Sequence, residues 1–325
     1  MNWWWDYAAM RAPDHNEMYY LKFTVLSIAW FMALHLAVHM LTMRHARVYK
    51  EMSNTKRTEY RTYVLSIVHA IGCVVLSTIA MFYICGDGKT VFNNDECMNT
   101  VRYIHIWALI HSCGYFLTDF FFLAFVIQGR TTLDYQTYAH HLVAITTYYQ
   151  TLYFMDFMCV FGCMLLFIEI STPFVSARWL LFTHGMAESP WYALNALATF
   201  ISFLFGRIVY QFYIVIFYGA AWVYAEYQRK NLTVYQGFVI TEMAVMVILS
   251  IVLNSYWMWL MIKMIGRVIS RALKPKDDDE NLEKVELVKA DALAIDNEAD
   301  CGSSTQGSNM GEIAEEGQND PEVNG

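Results

Sequence analysis

Charge is the first scarcity in this 325-residue chain: only 16% of it is Asp, Glu, Lys or Arg. A soluble domain carries about a quarter, so a large solvated surface is excluded. Proline is scarce too, with five residues in all, which leaves long helical runs unbroken. An excess of positive charge is also missing. The formal net charge of −8 is unevenly held: from Ala272 onward 15 acidic residues face 4 lysines, −11, and the rest of the chain carries +3. Neither part shows the basic stripe of a nucleic-acid-binding protein, and no nucleic-acid partner is expected. The first twenty residues lack a basic n-region, an apolar h-region and a small-residue cleavage site, so insertion is expected to rely on the first apolar run. No Asp-Arg-Tyr follows the third apolar run and no Asn-Pro-x-x-Tyr lies in the last, which speaks against a seven-helix receptor. The ten histidines fall at unmatched depths, not in the facing pairs that haem iron needs. No cofactor and no metal is expected.

What the chain has in abundance is apolar surface. Hydrophobic residues make up 57% and aromatics 16%, with a mean hydropathy of +0.30. Trp and Tyr crowd the ends of apolar runs, as at Trp3–Trp5, Tyr19–Tyr20, Trp191–Tyr192 and Trp222–Tyr224, where bilayer interfaces favour them. Runs long enough to cross a bilayer occur at Leu21–Met43, Tyr63–Cys85, Ile106–Ile127, Ala196–Tyr224 and Val239–Met264. Between the third and fourth, Thr137–Ile170 is long enough for a hairpin of two short spans turning at Asp156. The predicted fold is an all-α polytopic membrane bundle of about seven helices, six if the hairpin does not cross. Residues 1–55 form an N-terminal segment with the first span, and 56–271 form the membrane domain. Residues 272–325 form an acidic tail with too little apolar content to pack.

Orientation follows from Lys and Arg in the short loops. With the N-terminus outside, the inner segments hold thirteen such residues (Arg44, Arg47, Lys50, Lys56, Arg57, Arg61, Arg130, Arg178, Lys263, Arg267, Arg271, Lys274 and Lys276). The outer segments hold five: Arg11, Lys89, Arg102, Arg229 and Lys230. The N-terminus is therefore expected on the lumenal side and the C-terminus in the cytosol. Cys85 and Cys97 bracket an outer loop in which a disulfide can persist, although spacing alone leaves pairing and two free thiols equally open. The sequon Asn231-Leu232-Thr233 also falls outside, close to the membrane.

Ionisable and strongly polar groups inside a bilayer are costly, so each is a candidate site residue. They are His35 and His39, His69, His111 and Asp119, His140 and His141, Glu169, Arg207, and Asn254. Counted along the apolar runs, His35, His39, His69, His140, His141, Glu169 and Asn254 gather toward the cytosolic half. Asp119 and Arg207 fall nearer the middle, and His111 lies on the outer side. His111, Tyr115 and Asp119 share one helix face, as do His35 and His39. Gly114 leaves room for a neighbouring helix. The expectation is a polar pocket opening inward. His140 and His141 point about 100° apart on a helix, so one His acting chemically and one packing is the economical arrangement.

At these residues the chain resembles a known family. Ser66-Ile-Val-His69-Ala70, Gly114-Tyr115-Phe-Leu-Thr-Asp119, His140-His141, Glu169-Ile-Ser171-Thr172-Pro173-Phe with Arg178-Trp179, and Leu253-Asn254-Ser-Tyr-Trp257 occur in the order of the TLC domain. That domain is shared by ceramide synthases, translocon-associated membrane proteins and small TLC-domain-containing proteins, and this chain looks most like the last group. Ceramide synthases follow their histidine pair with a His-Asp and a further Asp. Here those positions read Glu169-Ile170 and Pro173, which argues against ceramide synthesis. The resemblance implies a multi-pass protein, most often of the endoplasmic reticulum, that binds or senses a lipid or acyl group and affects lipid homeostasis without completing a catalytic cycle. The alternative is an acyl-CoA-dependent acyltransferase with altered acid–base residues. In that case His140 or His141 acts on the thioester, and Glu169 or Asp119 orients it. Membrane lipids are the expected partners. The lipid-pocket residues are His69, Tyr115, Asp119, His140, His141, Glu169, Arg207 and Asn254.

Overall fold

The computed structural model describes residue 10 and residues 17–153, 157–229 and 233–272. Asp156, Asn231 and the acidic tail lie outside the described residues. Among the described residues seven long helices run in succession: α1 (Glu17–His45), α2 (Asn54–Phe82), α3 (Tyr103–Ile127), α4 (Thr132–Tyr153), α5 (Phe157–Thr183), α6 (190–229) and α7 (Val234–Ala272). All except α4 are long and apolar enough to cross a membrane. With 22 residues α4 reaches roughly 33 Å, a bilayer's depth, but it carries polar groups on its inward faces. The chain is a polytopic all-α membrane bundle, as its composition predicts.

Local chemistry sets the helix starts. The Ser53 hydroxyl accepts the Lys56 N–H and opens α2. Ser189 does the same for Tyr192 at the head of α6, with Pro190 in the first turn, where its missing N–H costs nothing. Gln128, in the left-handed region at φ 54°, ends α3.

The centre of the bundle is α5. Phe157–Leu165 are all buried, and α2 contributes the buried stripe Leu65, His69, Cys73 and Ser77, which recurs every four residues and so forms one helix face. In contrast α1, α6 and α7 turn large apolar residues outward, among them Trp30, Leu36, Phe217, Ile248 and Val252. Such a surface suits lipid, not water.

The hairpin expected over Thr137–Ile170 differs from what is seen. Its first arm is α4, but its second does not stop at Ile170; it continues to Thr183. Pro173 breaks the winding without ending the helix. The segment Leu166–Ser171 tightens to a 3-10 helix and α-helix resumes at Thr172. Cys85 and Cys97 form a disulfide with their Cα atoms 5.9 Å apart, which decides the pairing that spacing left open.

Gly114 behaves as its sequence context predicts. A Cβ there would come within 2.4 Å of Ser27 Cβ and 3.0 Å of the Ser27 carbonyl carbon on α1. The Ser27 hydroxyl donates to the His111 carbonyl at 3.3 Å across the same contact. Gly114→Ala is expected to push α1 off α3 at a cost of about 2 kcal/mol, the usual scale of overpacking. Thermal unfolding in detergent measures it, and an unchanged midpoint would mean that the two helices do not touch there.

Candidate functional site

A buried polar network joins α5, α6 and α7. It begins with Pro173, whose missing N–H leaves the Glu169 carbonyl without its helical donor. That carbonyl takes the Thr172 N–H instead, and the tightened turn presents Glu169, Ser171 and Thr172 to α6. On α6 the segment Leu204–Tyr210 is a π-helix, a winding common at functional positions. Gly206 within it lets Ile170 approach, since a Cβ there would stand 2.6 Å from Ile170 Cγ2. Arg207, the next residue, is thereby brought to Glu169.

The Arg207 guanidinium donates through Nη2 to Glu169 Oε2 at 3.0 Å and to Thr172 Oγ1 at 2.8 Å. It also donates through Nε to Ser171 Oγ at 2.8 Å, and through Nη1 to Asn254 Oδ1 at 3.3 Å. Thr172 in turn donates to Glu169 Oε2. Asn254 Nδ2 passes the chain to Gln211 Oε1 at 2.8 Å, and Gln211 Nε2 to Ser250 Oγ at 3.2 Å. The Arg207 and Glu169 side chains are 6% and 4% exposed. A buried ion pair is tolerated when further hydrogen bonds engage its donors, and here four of the five guanidinium N–H groups are used.

A second pair sits between α3 and α4. His141 Nε2 lies 2.8 Å from Asp119 Oδ2, and its Nδ1 lies 2.8 Å from the Thr137 carbonyl. A carbonyl only accepts, so Nδ1 carries a hydrogen, and one proton is shared between Nε2 and the carboxylate. Both ring nitrogens of His141 are thus committed.

Beside this pair is an aromatic stack. His69 lies on Tyr115 at 3.9 Å, with His111 at 5.7 Å. His69 Nε2 is 3.3 Å from Ser112 Oγ and 3.0 Å from Cys73 Sγ. The His111 ring fills the space above Gly72, where a Cβ would meet its Nε2 at 2.7 Å. His111, expected apart on the outer side, therefore belongs with His69. His35 and His39 do not join this group: His35 stacks on Phe122 and His39 bonds Tyr49 Oη.

His140 points elsewhere. Its ring stands 81° from that of His141 and meets Trp257 of α7 at 5.7 Å. It lines a cleft of about 30 Å³ with Thr147 and Tyr148 of α4, Leu165 and Ile168 of α5, Gln211 of α6, and Met246 and Ser250 of α7. That is room for a water molecule or a methylene-sized group. The polar network ends on this cleft at Gln211 and Ser250, and the buried Thr147 hydroxyl lining it has no partner among the described residues.

Glu169, Arg207 and Asn254 lie near the midpoints of their helices, and so does His69, fifteen residues from Asn54, roughly 22 Å. The cleft extends from there toward the Tyr153, Phe157 and Val234 ends, away from the basic ends. Helix α2 starts nine residues before its apolar run, and α5 continues thirteen beyond Ile170.

The profile of the TLC domain matches residues 59–263. The chain belongs to the TLC-domain family. Two TLC-domain relatives align over most of their length. TLC domain-containing protein 4-A of Xenopus laevis is 26% identical over 247 residues, covering 73% of this chain and 86% of the relative. TLC domain-containing protein 4 of Xenopus tropicalis is 26% identical over 248 residues, covering 72% and 84%. All eight lipid-pocket residues fall inside the matched TLC domain, whereas His35 and His39 precede it. The structure gathers the eight into two adjoining groups, Glu169–Arg207–Asn254 and His69–Tyr115–Asp119–His141, with His140 on the cleft between α4 and α7. Ser171, Thr172, Gln211 and Ser250 were not nominated from sequence. Gln211 lies one turn after Arg207 and Ser250 one turn before Asn254, and that i±4 polar spacing in apolar spans was the available signal.

Proposed function

We propose that this TLC-domain membrane protein binds or senses a lipid or acyl group and so affects membrane lipid composition. We place it in the endoplasmic reticulum or another endomembrane, with the N-terminus lumenal and the C-terminus cytosolic. The observation that carries the reading is the cleft: it joins an uncommitted imidazole, His140, to an orphaned hydroxyl, Thr147, and to the Gln211–Ser250 end of a closed polar network. A site of that size takes one small hydrogen-bonding group of a lipid, while the chains lie along the exposed apolar faces of α6 and α7. The lining groups are neutral, and the Arg207 charge is already met by Glu169, which favours an uncharged polar group over an ionic one.

The test is lipid identification on the purified protein by native mass spectrometry. His140→Ala is expected to reduce lipid retention roughly three- to tenfold, the worth of one hydrogen bond, with little change in stability. Equal retention by wild type and variant, or no lipid with either, would remove the reading.

The second reading, acyl transfer from acyl-CoA, is favoured only by the free ring nitrogens of His140. His141 and Glu169 are both tied into hydrogen bonds and offer no free nucleophile. Incubation with radiolabelled acyl-CoA and candidate amines or alcohols tests it, and neither product nor acyl-histidine adduct would end it.

A further inference from the structure

Helices α4 and α7 are pinned to each other at two places. Trp257 Nε1 donates to Gln136 Oε1 at 2.8 Å, and Gln150 Nε2 donates to Glu242 Oε2 at 2.7 Å. The two glutamines stand fourteen positions apart on α4, roughly 21 Å along its axis. Between these bridges the helices do not close on one another. His140, Val143 and Thr147 of α4 and Met246, Val247 and Ser250 of α7 line the cleft of about 30 Å³ instead. The space is therefore held by cross-links on both sides of it and is not a frayed end.

Thr147 is the residue that asks for a ligand. A threonine hydroxyl inside a helix can bond the carbonyl one turn back, and those of Thr118, Thr137, Thr199 and Thr241 do so at 2.7–2.9 Å. Thr147 is 6% exposed, makes no such bond, and has no partner among the described residues. Leaving a buried hydroxyl unmet is costly. The other polar groups on the cleft have capacity to spare. Ser250 Oγ takes the Gln211 Nε2–H at 3.2 Å and keeps its own O–H to give. The His140 ring meets Trp257 and Phe116 edge to face, and an imidazole offers both a donor and an acceptor.

This set selects its partner by elimination. The cleft is lined by no charged side chain, so an ammonium, carboxylate or phosphate would lie there unpaired, at high cost. An ester or ether oxygen only accepts and leaves the lining acceptors unmet. A secondary amide both donates and accepts but needs room for several planar atoms, more than about 30 Å³ gives. A hydroxyl does both within the volume of one small group. Between the bridges α4 and α7 also expose Leu142, Val245 and Leu249, a surface that suits the apolar body of a lipid. Granting the lipid-binding role of this cleft, on which the assignment rests, we propose that its ligand is the free hydroxyl of a neutral lipid, bonded by Thr147, His140 and Ser250.

Native mass spectrometry of the purified protein with three probes tests the assignment: a diacylglycerol, the same diacylglycerol with its hydroxyl methylated, and cholesterol. A hydroxyl lipid is expected to be retained, and the methyl ether about tenfold less, the scale of one hydrogen bond. Retention of the diacylglycerol alone names a glycerolipid as the source, and of cholesterol alone a sterol. Thr147→Val keeps the side-chain shape and removes the hydroxyl. It should lower retention of the hydroxyl lipid roughly three- to tenfold while the unfolding midpoint stays level or rises, a pairing that a purely structural role would not give. The ether retained as well as its parent overturns the assignment, as does full retention in Thr147→Val. So does an endogenous lipid that co-purifies while neither hydroxyl probe is held, and all three of these outcomes leave the lipid-binding reading standing. If no lipid of any kind is retained, the reading and the assignment fall together.

Discussion

Arg207→Met is expected to destabilise the protein by about 3–5 kcal/mol, the cost of stranding one member of a buried ion pair. The substitution removes four donated hydrogen bonds at once and leaves the Glu169 carboxylate with Thr172 as its one remaining partner in the network. A stranded charge has no water to turn to at the midpoint of three helices. The double variant Glu169→Gln with Arg207→Met should recover most of the loss, because a neutral carboxamide needs no counter-charge. Denaturant titration of the purified protein in detergent measures both. If the single and double variants lose the same amount, the pair is not what holds α5 to α6, and packing at Gly206 takes its place.

That network was legible only in part. Glu169, Arg207 and Asn254 stand out in any reading because ionisable and amide groups are rare in apolar runs. Their pairing does not, since it depends on how far each helix is rotated, and rotation is set by contacts such as Ile170 against Gly206. Pro173 was visible too, but the local winding was not: in a packed helix one turn before it tightens to 3-10 and the span continues. The helix count followed from run length. The helix ends did not, because α2 and α5 project past their apolar runs.

The partner of His141 illustrates a signal that was available and unused. Sequence left Glu169 and Asp119 as equal candidates to orient it. Helices α3 and α4 are joined by the short turn 128–131, and residues equally far from the turn of an antiparallel helix pair face each other. Asp119 lies eight residues before the end of α3 and His141 nine after the start of α4. Counting outward from the turn selects Asp119. The same geometry separates the histidines, since neighbours about 100° apart on α4 cannot both face α3. His140 is left to the cleft.

Asp119→Leu is accordingly expected to cost about 3 kcal/mol, since it leaves a buried imidazole nitrogen without a partner. Asp119→Asn should cost much less. With Nδ1–H still donating to the Thr137 carbonyl, His141 Nε2 is a free acceptor, and an asparagine Nδ2–H can donate to it without moving the helices. Thermal unfolding of both variants separates the contributions. A large, equal loss in the two would show that the negative charge, not the hydrogen bond, holds the pair, and a negligible loss in both would remove it from the core. Lipid retention should follow a different order from stability. Because both nitrogens of His141 are committed, Asp119→Asn is expected to keep its lipid, whereas His140→Ala loses lipid while keeping most of its stability. Loss of lipid in a stable Asp119→Asn protein would move the ligand from the α4–α7 cleft to the α3–α4 pair.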